Sequence, residues 1–168
     1  FAEGITIVDN KIVQITYQQN VGFVYDLNSL NKVSEFSYPS NREGWGLAYD
    51  GQKIFNSSGS SSIYMLDKNT HQTTGYIQVF DHNGPVDSLN ELEYIDGKIY
   101  ANIYNLDGPY ANKIVIIDPL TGGVEGVINL TGLHPIPSKA YDSDYILNGI
   151  AYDKVGKRLF VTGKMWPS

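Results

Sequence analysis

The densest group of residues that could do chemistry is an acidic stretch near the middle of the chain. It contains Asp81, Asp87, Glu91 and Glu93. Carboxylate oxygens are the ligands that Ca²⁺ prefers in proteins, so a calcium-binding loop is one interpretation. Acidic side chains are far more often solvated than buried, and we therefore favour a solvated acidic loop over a metal site.

Histidine, cysteine and serine provide no second candidate. His71, His82 and His134 are scattered over predicted loops without a partner at the spacing of metal ligands, so we expect them at the surface and predict no zinc site. The sequence contains no cysteine, which excludes disulfides, thiolate metal sites and a cysteine nucleophile. It also contains no nucleophile-elbow serine and no glycine-rich loop that leads from a strand into a helix.

Composition and charge narrow the class of protein. The 168 residues are 42% hydrophobic and 18% charged, as in a folded domain, and 13 Tyr with 17 Gly favour strands and tight turns. A net charge of −6 argues against a partner that is recognised through nucleic-acid phosphates. No apolar run is long enough to span a membrane, so we expect no membrane insertion. The first residue is not Met, which is compatible with a removed export signal.

Four segments of the chain repeat one pattern. They are EGITIVDNKIVQITY from Glu3, GWGLAYDGQKIFNSS from Gly44, NELEYIDGKIYANIY from Asn90 and NGIAYDKVGKRLFVT from Asn148. Each contains an apolar strand, a turn and a second strand of alternating polarity. Two of the turns contain Asp-Gly, which supplies the positive φ that tight hairpin turns need. The sequence therefore predicts four β-hairpins.

Three of these hairpins are followed by a second pair of strands, with a polar turn that starts near Asp26, Asp67 or Asp118. The repeating unit is therefore four antiparallel strands. Equivalent positions recur about 42 to 58 residues apart, which is the period of propeller blades. We predict an all-β fold, a β-propeller, formed by one domain over residues 1–168 with blades that begin near residues 3, 44, 90 and 148.

A β-sandwich of eight to fourteen short strands is the alternative, because sandwiches also alternate strands and turns. The repeat at the blade period favours the propeller. The segment from 130 to 144 contains two prolines and is predicted to be a long loop. Three and a half blades are too few to close a propeller, so we expect the domain to be incomplete at both ends.

The segments FAEGITI, EGWGLAYDG, LNELEYIDGKIYANI and LNGIAYDKVGKRLFVTGKMWP resemble the plant and bacterial type of glutaminyl cyclases, also called glutamine cyclotransferases. The resemblance covers essentially the whole chain. It implies a five-bladed propeller enzyme that converts the N-terminal glutamine of peptides and proteins into pyroglutamate and releases ammonia. It also implies no cofactor, no catalytic metal and an extracytoplasmic location, periplasmic or secreted. The family's first blade, with its Phe-Thr-Gln-Gly motif, is not in this chain.

The resemblance also assigns candidate residues to a central pocket. The matching motifs are Phe-x-Glu-Gly, Gly-Trp-Gly, Leu-Asn-Glu-Leu and Thr-Gly-Lys-x-Trp-Pro. The catalytic candidates are Glu3, Asn90 and Lys164. The substrate-binding candidates are Phe1, Tyr17, Trp45 and Tyr104, and the two tyrosines stand where the family usually has Trp.

Cyclisation of glutamine explains why such residue types would be needed. The α-amino group attacks the carboxamide of the same residue, so aromatic walls that hold the side chain in a ring-forming conformer would speed the reaction. Glu3 in a partly desolvated pocket could take the proton of the amine and pass it to the leaving nitrogen. Asn90 and Lys164 could stabilise the oxyanion. Alternatively, Asn90 holds the substrate amide and Lys164 pairs with Glu3 to set its pKa.

A different class of function remains open on the sequence alone. A non-catalytic propeller could bind a peptide or protein in its central depression, and aromatic residues are also common in ordinary strand packing. The resemblance favours the enzyme, with N-terminal glutamine peptides as its partners, no nucleic acid and a monomeric state.

Overall fold

The computed structural model describes residues 1–105, 108–133 and 145–166, and within these ranges its regular structure consists of β-strands. None of the described residues belongs to a helix with the length and apolar character needed to cross a membrane. Most of the predicted loop from 130 to 144, with His134, lies outside the described residues.

Three four-stranded antiparallel sheets and two two-stranded sheets follow one another along the described part of the chain. The first contains β1 (Ala2–Val8), β2 (Lys11–Thr16), β3 (Val21–Asp26) and β4 (Lys32–Ser37). The second contains β5 (Leu47–Tyr49), β6 (Lys53–Ser57), β7 (Ser62–Asp67) and β8 (Thr73–Gln78). A short hairpin, β9 (Phe80–Asp81) and β10 (Gly84–Pro85), precedes the third sheet.

The third sheet contains β11 (Leu89–Ile95), β12 (Lys98–Ile103), β13 (Lys113–Ile117) and β14 (Val124–Asn129). The last sheet contains β15 (Leu147–Asp153) and β16 (Arg158–Gly163). The first strands of successive sheets, β1, β5, β11 and β15, contact one another in that order. The fold is therefore a β-propeller, as predicted, and each sheet except the short hairpin is a blade with its first strand innermost.

The hydrophobic core lies between the blades, and β6 shows how the sequence produces it. Successive side chains of a strand point to opposite faces of the sheet. Ile54 packs with Val13 and Leu47 between the first two blades, whereas Phe55 packs with Leu92 and other residues between the second and third blades. A blade in the middle of the chain is thus apolar on both faces.

Aspartates fix several of the turns. The Asp26 and Asp67 carboxylates each accept hydrogen bonds from the backbone N–H groups two and three residues later, at 2.7 to 3.1 Å. Asp153 does the same in the last hairpin. The predicted Asp-Gly turns have positive φ at Gly51 and Gly97. Because these hydrogen bonds are local, the sequence alone is enough to predict the hairpins.

Of the four acids, only Asp87 fits the solvated loop that we favoured from the sequence, because it is exposed and lies outside the strands. Asp81 lies on β9 and accepts a hydrogen bond from the Tyr110 hydroxyl at 2.6 Å, whereas Glu91 and Glu93 lie on β11. The Glu91 carboxylate accepts from the Ile150 N–H at 2.8 Å, and Glu93 makes the equivalent bond to the next blade. Among the described residues, no three His, Cys, Asp or Glu side chains gather as metal ligands. Two of the four acids therefore connect blades.

Glu91 is expected to make folding stability depend on pH. Burial, together with the charge of Glu93, raises the pKa of Glu91 from 4.5 to about 9. Between these values the folded chain retains a proton that the unfolded chain has released, so the free energy of unfolding decreases as the pH rises. Glu91→Gln keeps an acceptor for the Ile150 N–H. Its free energy of unfolding should fall less between about pH 5 and pH 9 in denaturant titrations.

Glu35→Gln is the matched control, because Glu35 is exposed and bonded to Lys32 on the surface. It should keep the pH dependence of the wild-type chain. Some dependence should remain in Glu91→Gln, since burial also raises the pKa of Glu93. The same slope in Glu91→Gln as in the wild type would contradict the assignment.

Candidate active site

One position on the innermost strand of each blade faces the same end of the propeller. The pairing of inner and second strands shifts register between Ala2 and Ile5 in the first blade, and equivalent shifts occur in the third and fourth blades. Such a shift leaves a residue unpaired and redirects its side chain. Counted back from the hairpin turn, the equivalent residues are Glu3, Trp45, Asn90 and Asn148. We call these four residues the ring.

A second position follows the second strand of the blade. In the first, third and fourth blades it is occupied by Tyr17, Tyr104 and Lys164. Their backbone N–H groups donate to the carbonyl oxygens of Phe1, Ser88 and Ile146 at 3.0, 2.8 and 2.9 Å. Because each bond holds the residue beside the start of the inner strand, this position lies next to the ring in every one of these blades.

Three of the ring residues, all except Asn148, and the three residues of the second position line a pocket with a volume of about 390 Å³. We call it the central pocket, and its lining residues are Phe1, Glu3, Tyr17, Gln18, Gln19, Trp45, Asn90, Tyr104 and Lys164. The structure thus brings together all seven residues that the sequence predicted for the site. It adds Gln18 and Gln19.

Glu3 is the partly buried carboxylate of the central pocket. Burial raises its pKa, and the charge of Glu43 acts in the same direction. The charge of Lys164 lowers the pKa of Glu3, but burial outweighs it. A carboxyl group with a raised pKa exchanges its proton more readily near neutral pH.

Asn90 contributes an amide at the floor of the pocket. The residue is 5% exposed, and its backbone carbonyl accepts a hydrogen bond from the Ser57 hydroxyl. Within the described residues, its side-chain amide has no hydrogen-bond partner. The amide therefore has both its donor and its acceptor available to a bound molecule.

Aromatic rings form the walls. The Trp45 and Tyr104 rings meet edge to face with centroids 5.7 Å apart. The Lys164 Nζ lies 5.3 Å from the centroid of the Tyr104 ring, within range of a cation–π interaction. The Tyr104 ring, which forms part of the wall, thus also helps to position the ammonium group of Lys164.

Glu43 connects several residues of the pocket wall from behind, and it was not among the candidates predicted from the sequence. Its carboxylate accepts hydrogen bonds from Trp45 Nε1 and from Gln18 Nε2, each at 2.9 Å, and it also bonds the Tyr17 hydroxyl. These bonds lower the pKa of Glu43. Because Glu43 lies in a loop outside the repeat, no periodic signal marks it.

Asn148 is the ring residue that the sequence could have identified but did not. Its Oδ1 is buried without a hydrogen-bond partner in the described part of the chain. The neighbouring Gly149 N–H donates to the Asn102 side chain at 2.8 Å. An alignment of the four hairpins puts Asn148 at the same position as Glu3, and that equivalence was the available signal.

The fold and the pocket together define a class: a β-propeller with a carboxylate, an amide and an ammonium group between aromatic walls at one end of its central axis. The family described as glutamine cyclotransferase matches residues 1–168. The chain therefore belongs to the glutamine cyclotransferase family.

Individual relatives agree with this assignment. The chain is 39% identical over 168 residues to glutaminyl-peptide cyclotransferase of Arabidopsis thaliana, covering 99% of this chain and 51% of the plant protein. It thus spans about half the length of that relative. The crystal structure of Myxococcus xanthus glutaminyl cyclase superposes with a TM-score of 0.87 at 32% identity, over 99% of this chain and 69% of the bacterial chain.

A more distant similarity concerns the fold alone. A chain in the crystal structure of the mitotic checkpoint complex superposes with a TM-score of 0.55 at 12% identity, over 97% of this chain and 44% of the other.

Replacing Glu43 tests its role behind the pocket. Glu43→Ala removes both acceptor oxygens, so the hydrogen bonds from Trp45 Nε1 and Gln18 Nε2 are lost. We expect a stability loss of about 1 kcal/mol and faster hydrogen exchange at the Trp45 indole. NMR of the indole N–H signals measures the exchange, and the Trp166 signal serves as an internal control. Unchanged exchange at Trp45 would show that Glu43 does not anchor it.

Proposed function

We propose that the protein containing this chain converts the N-terminal glutamine of peptides or proteins into pyroglutamate and releases ammonia. Membership of the family supports the proposal. The single observation that carries it is the central pocket, which joins the partly buried carboxylate of Glu3, the unengaged amide of Asn90 and the ammonium group of Lys164 between aromatic rings.

The aromatic walls would bring the reacting atoms together. The indole N–H of Trp45 is occupied by Glu43, so Trp45 offers the substrate its ring rather than a donor. A glutamine side chain confined between Trp45, Tyr17 and Tyr104 loses the extended conformers that keep its amide away from its amine. Restricting conformers in this way contributes strongly to intramolecular reactions.

Glu3 is the group that would move the proton. The nitrogen of the neutral α-amino group forms a bond to the γ-carboxamide carbon, and the Glu3 carboxylate accepts the proton that this nitrogen must lose. The protonated Glu3 then donates to the amide nitrogen while the bond between that nitrogen and the carbon breaks. Ammonia leaves, the lactam ring is closed and Glu3 is again ionised.

Asn90 and Lys164 would stabilise the charge on the carboxamide oxygen. Both line the central pocket with Glu3, and the Asn90 side chain makes no competing hydrogen bond within the described chain. A fixed donor aimed at a developing oxyanion contributes a few kcal/mol. Lys164 has a second effect, because its charge favours the ionised form of Glu3.

Glutamine peptides are the partners that this pocket would accept. Its volume of about 390 Å³ holds one residue and leaves the rest of a peptide outside. A monomeric state and an extracytoplasmic location stay predictions from the family resemblance.

The first functional prediction concerns Glu3. Glu3→Gln removes the proton carrier but keeps the size of the side chain, so kcat should fall at least about 100-fold. The assay measures ammonia released from a glutamine-initiated dipeptide by the complete protein, together with the melting temperature. Glu35→Gln, on the exposed outer strand β4, should keep wild-type activity. Wild-type turnover by Glu3→Gln would exclude its role in proton transfer.

A second prediction separates the two effects of Lys164. Lys164→Met removes an oxyanion donor, so kcat should fall about 100-fold or more. It also removes the charge that lowers the pKa of Glu3, so the acid limb of the profile of kcat/KM against pH should move to higher pH. Lys154→Met, at an exposed turn, is the matched control. An unmoved acid limb with unchanged kcat would contradict both effects.

A further inference from the structure

A second cavity lies beside the central pocket. Its volume is about 510 Å³, and its lining residues are Gln18, Asn20, Ser40, Asn41, Arg42, Glu43, Ser58, Ser60 and Tyr64. We call it the Arg42 cavity. Gln18 lines both spaces, and Glu43 contacts Trp45 of the central pocket from the side of the Arg42 cavity. The two cavities are therefore neighbours that share a wall.

Arg42 is a buried cation without an anion. The residue is 9% exposed, and its Nε has no hydrogen-bond partner among the described residues. Its Nη2 donates to Thr73 Oγ1 at 2.7 Å, which is a neutral acceptor. The guanidinium carbon lies 4.1 Å from the centroid of the Tyr64 ring and 5.9 Å from that of Tyr38. Aromatic rings offset only part of the cost of burying a charge.

Glu43 is the nearest carboxylate in the sequence, but it does not serve as the counter-ion. Both its oxygens accept hydrogen bonds from the central pocket side, from Gln18 and Trp45. None of the ion pairs between described residues involves Arg42. Arg42 thus has no counter-ion among the described residues, and it lines a cavity that a group from outside can enter.

We propose that the Arg42 cavity binds a carboxylate of the substrate chain a few residues after its N-terminal glutamine. This inference rests on the proposed function, because it takes the central pocket as the site of the glutamine. An extended peptide advances about 3.3 to 3.6 Å per residue, so residues two to four reach a neighbouring cavity. A guanidinium group donates strong charge-assisted hydrogen bonds to a carboxylate, and Ser40, Asn41 and Ser60, which carry hydroxyl and amide groups, line the same space.

The proposal predicts a preference for acidic substrates. A peptide series places Glu or its neutral counterpart Gln at position two, three or four after the N-terminal glutamine, with an amidated C-terminus. At one of these three positions, kcat/KM for pyroglutamate formation should be about tenfold higher for the peptide with Glu than for the peptide with Gln, mainly through a lower KM. Tripeptides with free and amidated C-termini test the terminal carboxylate as the source. A preference for the free terminus alone would also support the cavity as a carboxylate site.

Variants of Arg42 connect the preference to this residue. In Arg42→Met the ratio of kcat/KM between acidic and neutral peptides should fall to about one, and Arg42→Lys should retain part of the preference. Arg158→Met, which removes an exposed arginine of the last hairpin, should keep the ratio of the wild type. If Arg42→Met does not fold, the wild-type preference should still weaken as salt is added, because an ion pair is screened.

Failure of this inference differs from failure of the proposed function. Equal kcat/KM for acidic and neutral peptides in every register would overturn the Arg42 cavity as a carboxylate site while pyroglutamate still forms. Absence of pyroglutamate from all peptides would overturn the proposed function. In that case, titration of the same peptides into the protein still measures whether the acidic one binds more tightly.

Discussion

The pocket depends on how closely the innermost strands of neighbouring blades approach each other. A Cβ atom at Gly4 would lie 2.8 Å from the carbonyl oxygen of Trp45, and one at Gly46 would lie 2.2 Å from that of Asn90. The backbone cannot move away from such a contact in the way that the end of a flexible side chain can. Only glycine therefore fits at these two positions. Each glycine directly follows a ring residue. The close approach of the strands therefore sets Glu3, Trp45 and Asn90 side by side.

The junction between the third and fourth blades uses a different contact. Glu91 occupies the position that Gly4 and Gly46 have in the earlier blades, and its carboxylate bonds the Ile150 N–H of β15. At this junction a side chain connects the two inner strands, whereas at the earlier junctions the backbones of the inner strands pack directly against each other. The cost is the burial of a carboxyl group, which appears as the raised pKa of Glu91. The ring is thus supported by two kinds of contact between neighbouring inner strands.

Sequence reasoning succeeds here where the cause is local or periodic. Aspartates that bond their own turns mark the hairpins, and the repeat makes the ring position of Asn90 equivalent to that of Glu3. The burial of Glu91 follows from a strand 59 residues later that no local pattern reveals. Glu43 likewise acts through Trp45 and Gln18, which meet only after two blades have packed. The features that the sequence did not predict are therefore contacts between segments that are far apart in the chain.

Glu3 in the central pocket and Glu43 behind it have opposite environments, and this difference supports their assignment. Burial raises the pKa of Glu3, whereas hydrogen bonds from Gln18, Trp45 and Tyr17 lower that of Glu43. Neighbouring titratable groups with separated pKa values commonly divide the work of a site. Glu43 remains ionised as a fixed acceptor, and its charge helps to raise the pKa of Glu3. Glu43, which bonds Trp45 in the pocket wall, thus also helps to raise the pKa of Glu3.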